Sequence, residues 1–119
     1  MIHNDAERIR GALSGLAGVR SVTRGWPGSL ASKNLPCIGI QKASETGADW
    51  RDDREHVTEI EYYVRIFAEK YEQLDAIAPL ADAAMEGIGY SRTMTWDDGG
   101  SPVRICHIRY RKYIQADQT

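Results

Sequence analysis

Thr58-Glu-Ile-Glu-Tyr-Tyr-Val-Arg-Ile-Phe-Ala68 alternates along its whole length. Successive strand side chains point to opposite faces, so the period of two sorts these residues into two sets. Thr58, Ile60, Tyr62, Val64, Ile66 and Ala68 share one face; Glu59, Glu61, Tyr63, Arg65, Phe67 and Glu69 share the other. One apolar and one charged face predict a half-buried strand, with Ile60, Tyr62, Val64 and Ile66 lining the core.

Outward from this strand, residues 72–87 carry an apolar stripe of Leu74, Ile77, Ala81, Ala84 and Met85, continued by Ile88. That is helical spacing, and Gly87 and Gly89 end it. Pro79 lies inside the span and either kinks the helix or marks a fresh first turn. Residues 90–96 read as a strand, Asp97-Asp98-Gly99-Gly100 as a hairpin turn, and Val103 to Ile114 as the returning strand. The polar residues 115–119 are expected to fray.

On the other side, Leu35 to Lys42 reads as an apolar strand with Pro36 at its start, where a missing N–H does least harm. Residues 43–55 show no periodicity and are expected to form a long polar loop. Gly25-Trp26-Pro27-Gly28-Ser29 is turn chemistry after a short strand at 19–24. A first helix is predicted from Asn4, whose spacing to Glu7 is that of a capping box, through Ile9, Leu13 and Leu16 to a stop at Gly18. Gly11 and Gly15, four apart, either permit a close approach or are merely tolerated. The predicted order is α-β-β-β-α-β-β: a single α+β domain over 1–119, with a mainly antiparallel sheet and two helices on one face.

The 119 residues suit one domain, and 42% hydrophobic residues suffice for a core. A net charge of −2 argues against a general nucleic-acid coat. Two cysteines, Cys37 and Cys106, make no disulfide framework and sit in apolar segments, as reduced buried thiols do. The start, Met1-Ile2-His3-Asn4-Asp5, has neither a basic region nor an apolar core, so export is not expected.

Chemistry-bearing patterns are sparse. No serine lies in a Gly-x-Ser-x-Gly elbow, and apolar surroundings raise a thiol pKa. His3, His56 and His107 lack zinc-site spacing, although a cluster of a histidine with Asp97 or Asp98 is open in three dimensions. No glycine-rich phosphate loop is present. Glu59 and Glu61 form a carboxylate pair on one strand face, read as solvated. These features predict a non-enzyme without cofactor or metal. The strongest charge feature is the last strand, with Arg104, Arg109, Arg111 and Lys112 interleaved with Tyr110 and Tyr113. It fits cross-strand pairing with Glu59, Glu61 and Glu69, pairing with another subunit, or stacking and charge contact with single-stranded nucleic acid.

Leu35-Pro36-Cys37-Ile38-Gly39-Ile40 resembles the "LPAI-x-V" strand of bacteriophage tail terminator and tail-completion proteins. The resemblance continues through an acidic connection, the alternating strand Glu59–Ile66, the helix 72–87 and the closing hairpin from Gly89 to Ile114. It implies a subunit that acts by assembly at the head-proximal end of a phage tail. Such proteins form a ring, often of six copies, that caps the tail tube or joins it to the head connector. The implied partners are the chain itself, the tail-tube protein and the head connector protein, with no membrane. DNA merely passes through the ring. The implied location is the virion, after synthesis in the bacterial cytoplasm. A ring needs two different complementary patches. The candidates are Trp50, Asp52, Asp53, Glu59 and Glu61 on the acidic side and Arg104, Arg109, Arg111 and Lys112 on the basic side. The alternative functions are a small single-stranded nucleic-acid-binding module and, by fold analogy alone, a dimeric enzyme or ligand-binding domain.

Overall fold

The computed structural model describes residues 2–51, 54–100 and 102–115, with the backbone alone for 48–51 and 54–56. Its elements are α1 (Ala6–Leu13), β1 (Ser21–Arg24), a 3-10 turn (Ser32–Asn34), β2 (Cys37–Arg51), β3 (Arg54–Ala68), α2 (Tyr71–Gly87), β4 (Ser91–Gly99) and β5 (Arg104–Gln115). The order is the α-β-β-β-α-β-β expected of an α+β chain. The strands form one sheet in the order β1-β2-β3-β5-β4. β1 runs parallel to β2, and the other neighbours are antiparallel.

The alternation of β3 decides where the core lies. Ile60, Val64 and Ile66 are fully buried, and Ala6, Ile9 and Leu13 of α1 join Leu74, Ile77, Ala81 and Met85 of α2 against them. Both helices therefore cover one face of the sheet, as the single apolar face of β3 requires. Pro79 lies on the exposed side of an α2 that runs on past it, so the missing N–H falls where water can serve the orphaned carbonyl. Gln73 Oε1 accepts from the Lys70 N–H at 3.2 Å and closes the first turn of this helix.

The opposite face stays open. Among the described residues only one end of it is covered, where Leu35, Cys37 and Phe67 are buried with Leu30, Val103 and Ile105 beside them. The connection from β1 passes over this end. Gly39 is required there, because a Cβ on it would meet the Gly25 carbonyl oxygen at 2.6 Å. Cys37 pairs with Phe67 on the open face and Cys106 with Ile66 on the core face, so β3 and the thickness of the sheet separate the two thiols.

Three expectations are corrected. Residues 43–55 do not form a long loop: β2 continues through them to Arg51 and β3 resumes at Arg54. Register shifts interrupt the ladder between Lys42 and Ser44, between Gly47 and Asp49, and between Asp49 and Trp50. Bulges put extra residues into the strand and break the period of two, so this ribbon has no readable alternation. The first helix ends at Leu13 rather than Gly18. Asn4 Oδ1 accepts from the Ala6 N–H at 3.3 Å, but the Glu7 half of a capping box is not made. A Cβ on Gly11 or Gly15 would meet nothing within 4 Å, so these glycines are tolerated rather than needed. Finally, Asp97 and Asp98 belong to β4, and the hairpin connection begins after Gly99. Of the expected frayed tail, Gln115 closes β5 opposite Val57, and 116–119 lie outside the described residues.

Candidate functional site

The open face is built from alternate residues of three adjacent strands. Tyr63 lies opposite Arg109, Arg65 opposite His107, and His107 opposite Trp96. Arg65 Nε donates to His107 Nδ1 at 3.2 Å, and His107 Nε2 lies 2.7 Å from Asp98 Oδ2. An acceptor at Nδ1 fixes the proton on Nε2, where it points at the carboxylate. The Trp96 indole lies on this imidazole, with ring centroids 4.8 Å apart and planes 5° from parallel. Tyr63 meets Trp96 edge to face at 6.2 Å. The Arg65 guanidinium stands 4.8 Å from the Tyr63 ring and 5.4 Å from Trp26, and the Arg109 guanidinium stands 6.0 Å from the Tyr63 ring. Aromatic rings and guanidinium groups thus alternate across the face, each cation near a ring's electron-rich surface.

The basic strand divides between two faces. Arg109 donates through Nε to Glu61 Oε2 at 2.8 Å and through Nη2 to the same oxygen, while Ser44 Oγ donates to it at 3.4 Å. Burial would raise the Glu61 pKa, but the hydrogen bonds from Arg109 and its charge outweigh this and hold the carboxyl below its ordinary value. The cross-strand reading therefore holds for this pair. Arg111 stacks over Tyr113 at 5.2 Å, and Glu59 lies opposite Tyr113 on the same face.

Lys112 and Arg104 serve the fold. Lys112 lies opposite Ile60 on the helical side, donates to the Ile88 carbonyl at 3.1 Å and stands 3.9 Å from Asp5 Oδ2. Asp5 also accepts from the Tyr90 hydroxyl at 2.6 Å, which ties the start of α1 to the far end of α2. Arg104 donates to the Glu69 carbonyl and covers the Tyr71 ring at 4.7 Å. The period of two already groups Lys112 with Cys106, Ile108 and Tyr110, and that signal identifies it as inward-facing. Asp52 and Asp53 lie outside the described residues, as does the Trp50 side chain.

Sequence reading missed Trp26, Tyr63, Arg65 and Trp96 as one surface. Alternation places Tyr63 and Arg65 together, but Trp96 stands in the segment read as ending at a turn. Trp26 comes from a connection with no period at all. On the helical side, a groove of about 300 Å³ runs between α2 and β4 beside Asp82, Arg92 and Ile108. Arg92 reaches across it to within 4.0 Å of Asp82.

No family model matches the chain, and no curated protein sequence matches it. The chemistry of its site must be read from its own side chains. Burial pushes the Cys106 thiol up to about 12, with Asp97 adding to the shift, and burial raises Cys37 as well. Both thiols are protonated near neutral pH, which makes them poor nucleophiles. Among the described residues no three His, Cys, Asp or Glu side chains stand close enough to hold a metal ion. No helix is long and apolar enough to cross a membrane. What the open face offers is stacking, charge and apolar contact, the means of binding another macromolecule.

Proposed function

We propose that the protein is a structural virion subunit that assembles at the head-proximal end of a phage tail, where it caps the tail tube and/or joins it to the head connector. It works by association rather than catalysis. The resemblance in Leu35–Ile40 and the element order motivate this reading, and the β2–β3 ribbon is the observation that carries it. Each of its strands has 15 residues, and among the described residues β5 pairs with β3 as far as Val57. Beyond that point the β2–β3 pairing continues to Arg51 and Arg54. A two-stranded ribbon on its own is at best marginally stable in water, and a neighbouring subunit would secure it. A projection at one end of an elongated subunit, 53 Å by 24 Å by 24 Å, is suited to head-to-tail contacts that close into a ring.

The nucleic-acid alternative loses support, because two of its four cations are directed elsewhere: Lys112 to the helical side and Arg104 to the Glu69 carbonyl. The test of the proposal is genetic and physical together. Removing the gene from its phage should leave tails of uncontrolled length or heads without tails, and the purified protein should restore joining in an extract of the mutant. Normal virions without the gene would overturn the reading.

A further inference from the structure

β4 is an edge of the sheet, and every residue from Ser91 to Gly99 is exposed. Among the described residues no strand pairs with its outer side. The other edge, β1, has only 4 residues, and Arg10 Nε already donates to one of its carbonyls, that of Val22, at 2.9 Å. β4 has 9 residues, and its pairing with β5 sorts its side chains between the two faces. Met94 and Trp96 lie opposite Arg109 and His107 on the open face; Arg92, Thr95 and Asp97 lie opposite Tyr110, Ile108 and Cys106 on the helical face. Met94 is 53% exposed and Trp96 36%, so the apolar surface of this edge is concentrated at its middle. A bulge lies between Arg92 and Met94, and its extra residue, Thr93, donates its hydroxyl inward to the Arg109 carbonyl at 3.2 Å.

We infer that β4 pairs antiparallel with β4 of a second copy of the chain, about a two-fold axis at Thr95, so that one sheet runs through both copies. The argument for that occupant is self-complementarity. Opposite residues of an antiparallel pair carry their side chains on the same face. With Thr95 against itself, Met94 of each copy faces Trp96 of the other on the open face, a thioether against an indole. On the helical face, Asp97 of each copy comes opposite the other's bulge, where Arg92 stands. The strand thus supplies both halves of an apolar pair and both halves of an ion pair, placed symmetrically about one residue. Neighbouring registers lose this match. A slide of two residues sets Met94 against Asp98, and a slide of four sets Asp97 against its own copy. A slide of two the other way sets Trp96 against the bulge. One-residue slides put opposite side chains on different faces.

Bulges and charges protect exposed edges from stray partners. Here the two devices stand at opposite ends of β4, so an antiparallel copy brings the bulge of one strand to the aspartates of the other. The features that reject an arbitrary strand therefore admit this one. Arg92 can turn to the seam, because it is exposed and its contact with Asp82 is 4.0 Å long. The inference goes beyond the assembly reading above and does not rest on it. A two-fold contact is isologous and closes at two copies, whereas a ring requires head-to-tail contacts.

Charge exchange tests the pairing. Arg92→Asp alone and Asp97→Arg alone each set like charges together at both ends of the seam. By sedimentation equilibrium each should raise the dimer dissociation constant at least about tenfold over the wild type. Mixed in equal amounts, the two variants should recover dimerisation at twice 13.3 kDa, because both ion pairs re-form between unlike chains. Arg92→Asp/Asp97→Arg should dimerise with itself again. Thr95→Cys gives a second measurement that does not depend on the charged variants folding. Opposite Cα atoms in an antiparallel pair lie about 4.5–5.5 Å apart, within disulfide reach, so mild oxidation should link two copies through this position. Ser91→Cys, far from the axis, should stay unlinked. A wild type that stays monomeric even at millimolar concentration, or a mixture no more associated than its components, would overturn the inference. So would larger species that form without a Thr95→Cys cross-link, since they would place self-association on another surface. Each of these failures leaves the assembly reading to its own test on virions.

Discussion

The Glu61 carboxylate is held by an arginine two positions diagonal to its own cross-strand partner. Glu61 lies opposite Arg111 in register, yet its hydrogen bonds come from Arg109. Its lowered pKa has a consequence for stability. An unfolded glutamate titrates near 4.3, so below about pH 5 the unfolded chain binds more protons than the native one and stability falls as the pH falls. Glu45 acts in the same sense: burial opposes the shift, but Lys42 and the His3 N–H prevail and lower its pKa. Urea unfolding at pH 7 and pH 3 should therefore show the wild type losing stability on acidification, and Glu61→Gln losing less. Equal losses would mean that the pair has no net preference for the charged form. Thr58 offers a second test. Its side chain is fully buried in the apolar stripe, and its hydroxyl has no hydrogen-bond partner among the described residues. An unsatisfied buried hydroxyl costs about 1–3 kcal/mol, so Thr58→Val, nearly the same shape, should raise stability by roughly 1 kcal/mol. A loss in denaturant midpoint would show that the hydroxyl has a partner after all.

At the scale of elements, legibility in the sequence follows burial. β3 was readable because the core takes one face of it and the open sheet the other, which imposes a period of two. α2 was readable because the same core selects its stripe of Leu74, Ile77, Ala81 and Met85. The outer half of the β2–β3 ribbon was not, because bulges break its period. The β4–β5 turn was misplaced for a related reason. Asp97-Asp98-Gly99-Gly100 is strong turn chemistry, but Asp98 finds a partner in His107 only once β4 lies against β5, a contact that no local pattern carries. Of the proposed site, the arginines were visible as a charge cluster, whereas their division between two faces needed the alternation to be applied to Lys112 as strictly as to its neighbours. The central position of β3 makes a quantitative demand. Ile66 is fully buried between the helices and Ile38, and Ile66→Ala should cost about 2–5 kcal/mol in equilibrium unfolding. A cost below about 1 kcal/mol would mean that the site relaxes around the change as a surface position does.

For the whole molecule, the decisive property is asymmetry. One face of the sheet is sealed by helices, the other is open, and the ribbon extends the long axis at one end. Arg111 and Arg109 differ as probes of assembly, because Arg109 is bound to Glu61. Reversing Arg109 would also release Glu61, so a loss of assembly there would be mixed with a loss of stability. Arg111 stacks on a half-exposed Tyr113 at the border of the face, and its reversal should leave folding nearly unchanged. Charges at the border of an interface mainly set encounter rate and register, and their effect is screened by salt. Arg111→Glu should therefore slow self-association several-fold at low ionic strength and differ little from the wild type near 1 M salt, where the Debye length is only ~3 Å. Stopped-flow light scattering at the two salt concentrations measures this directly. A defect that persists unchanged in high salt would make Arg111 a packed contact rather than a steering charge.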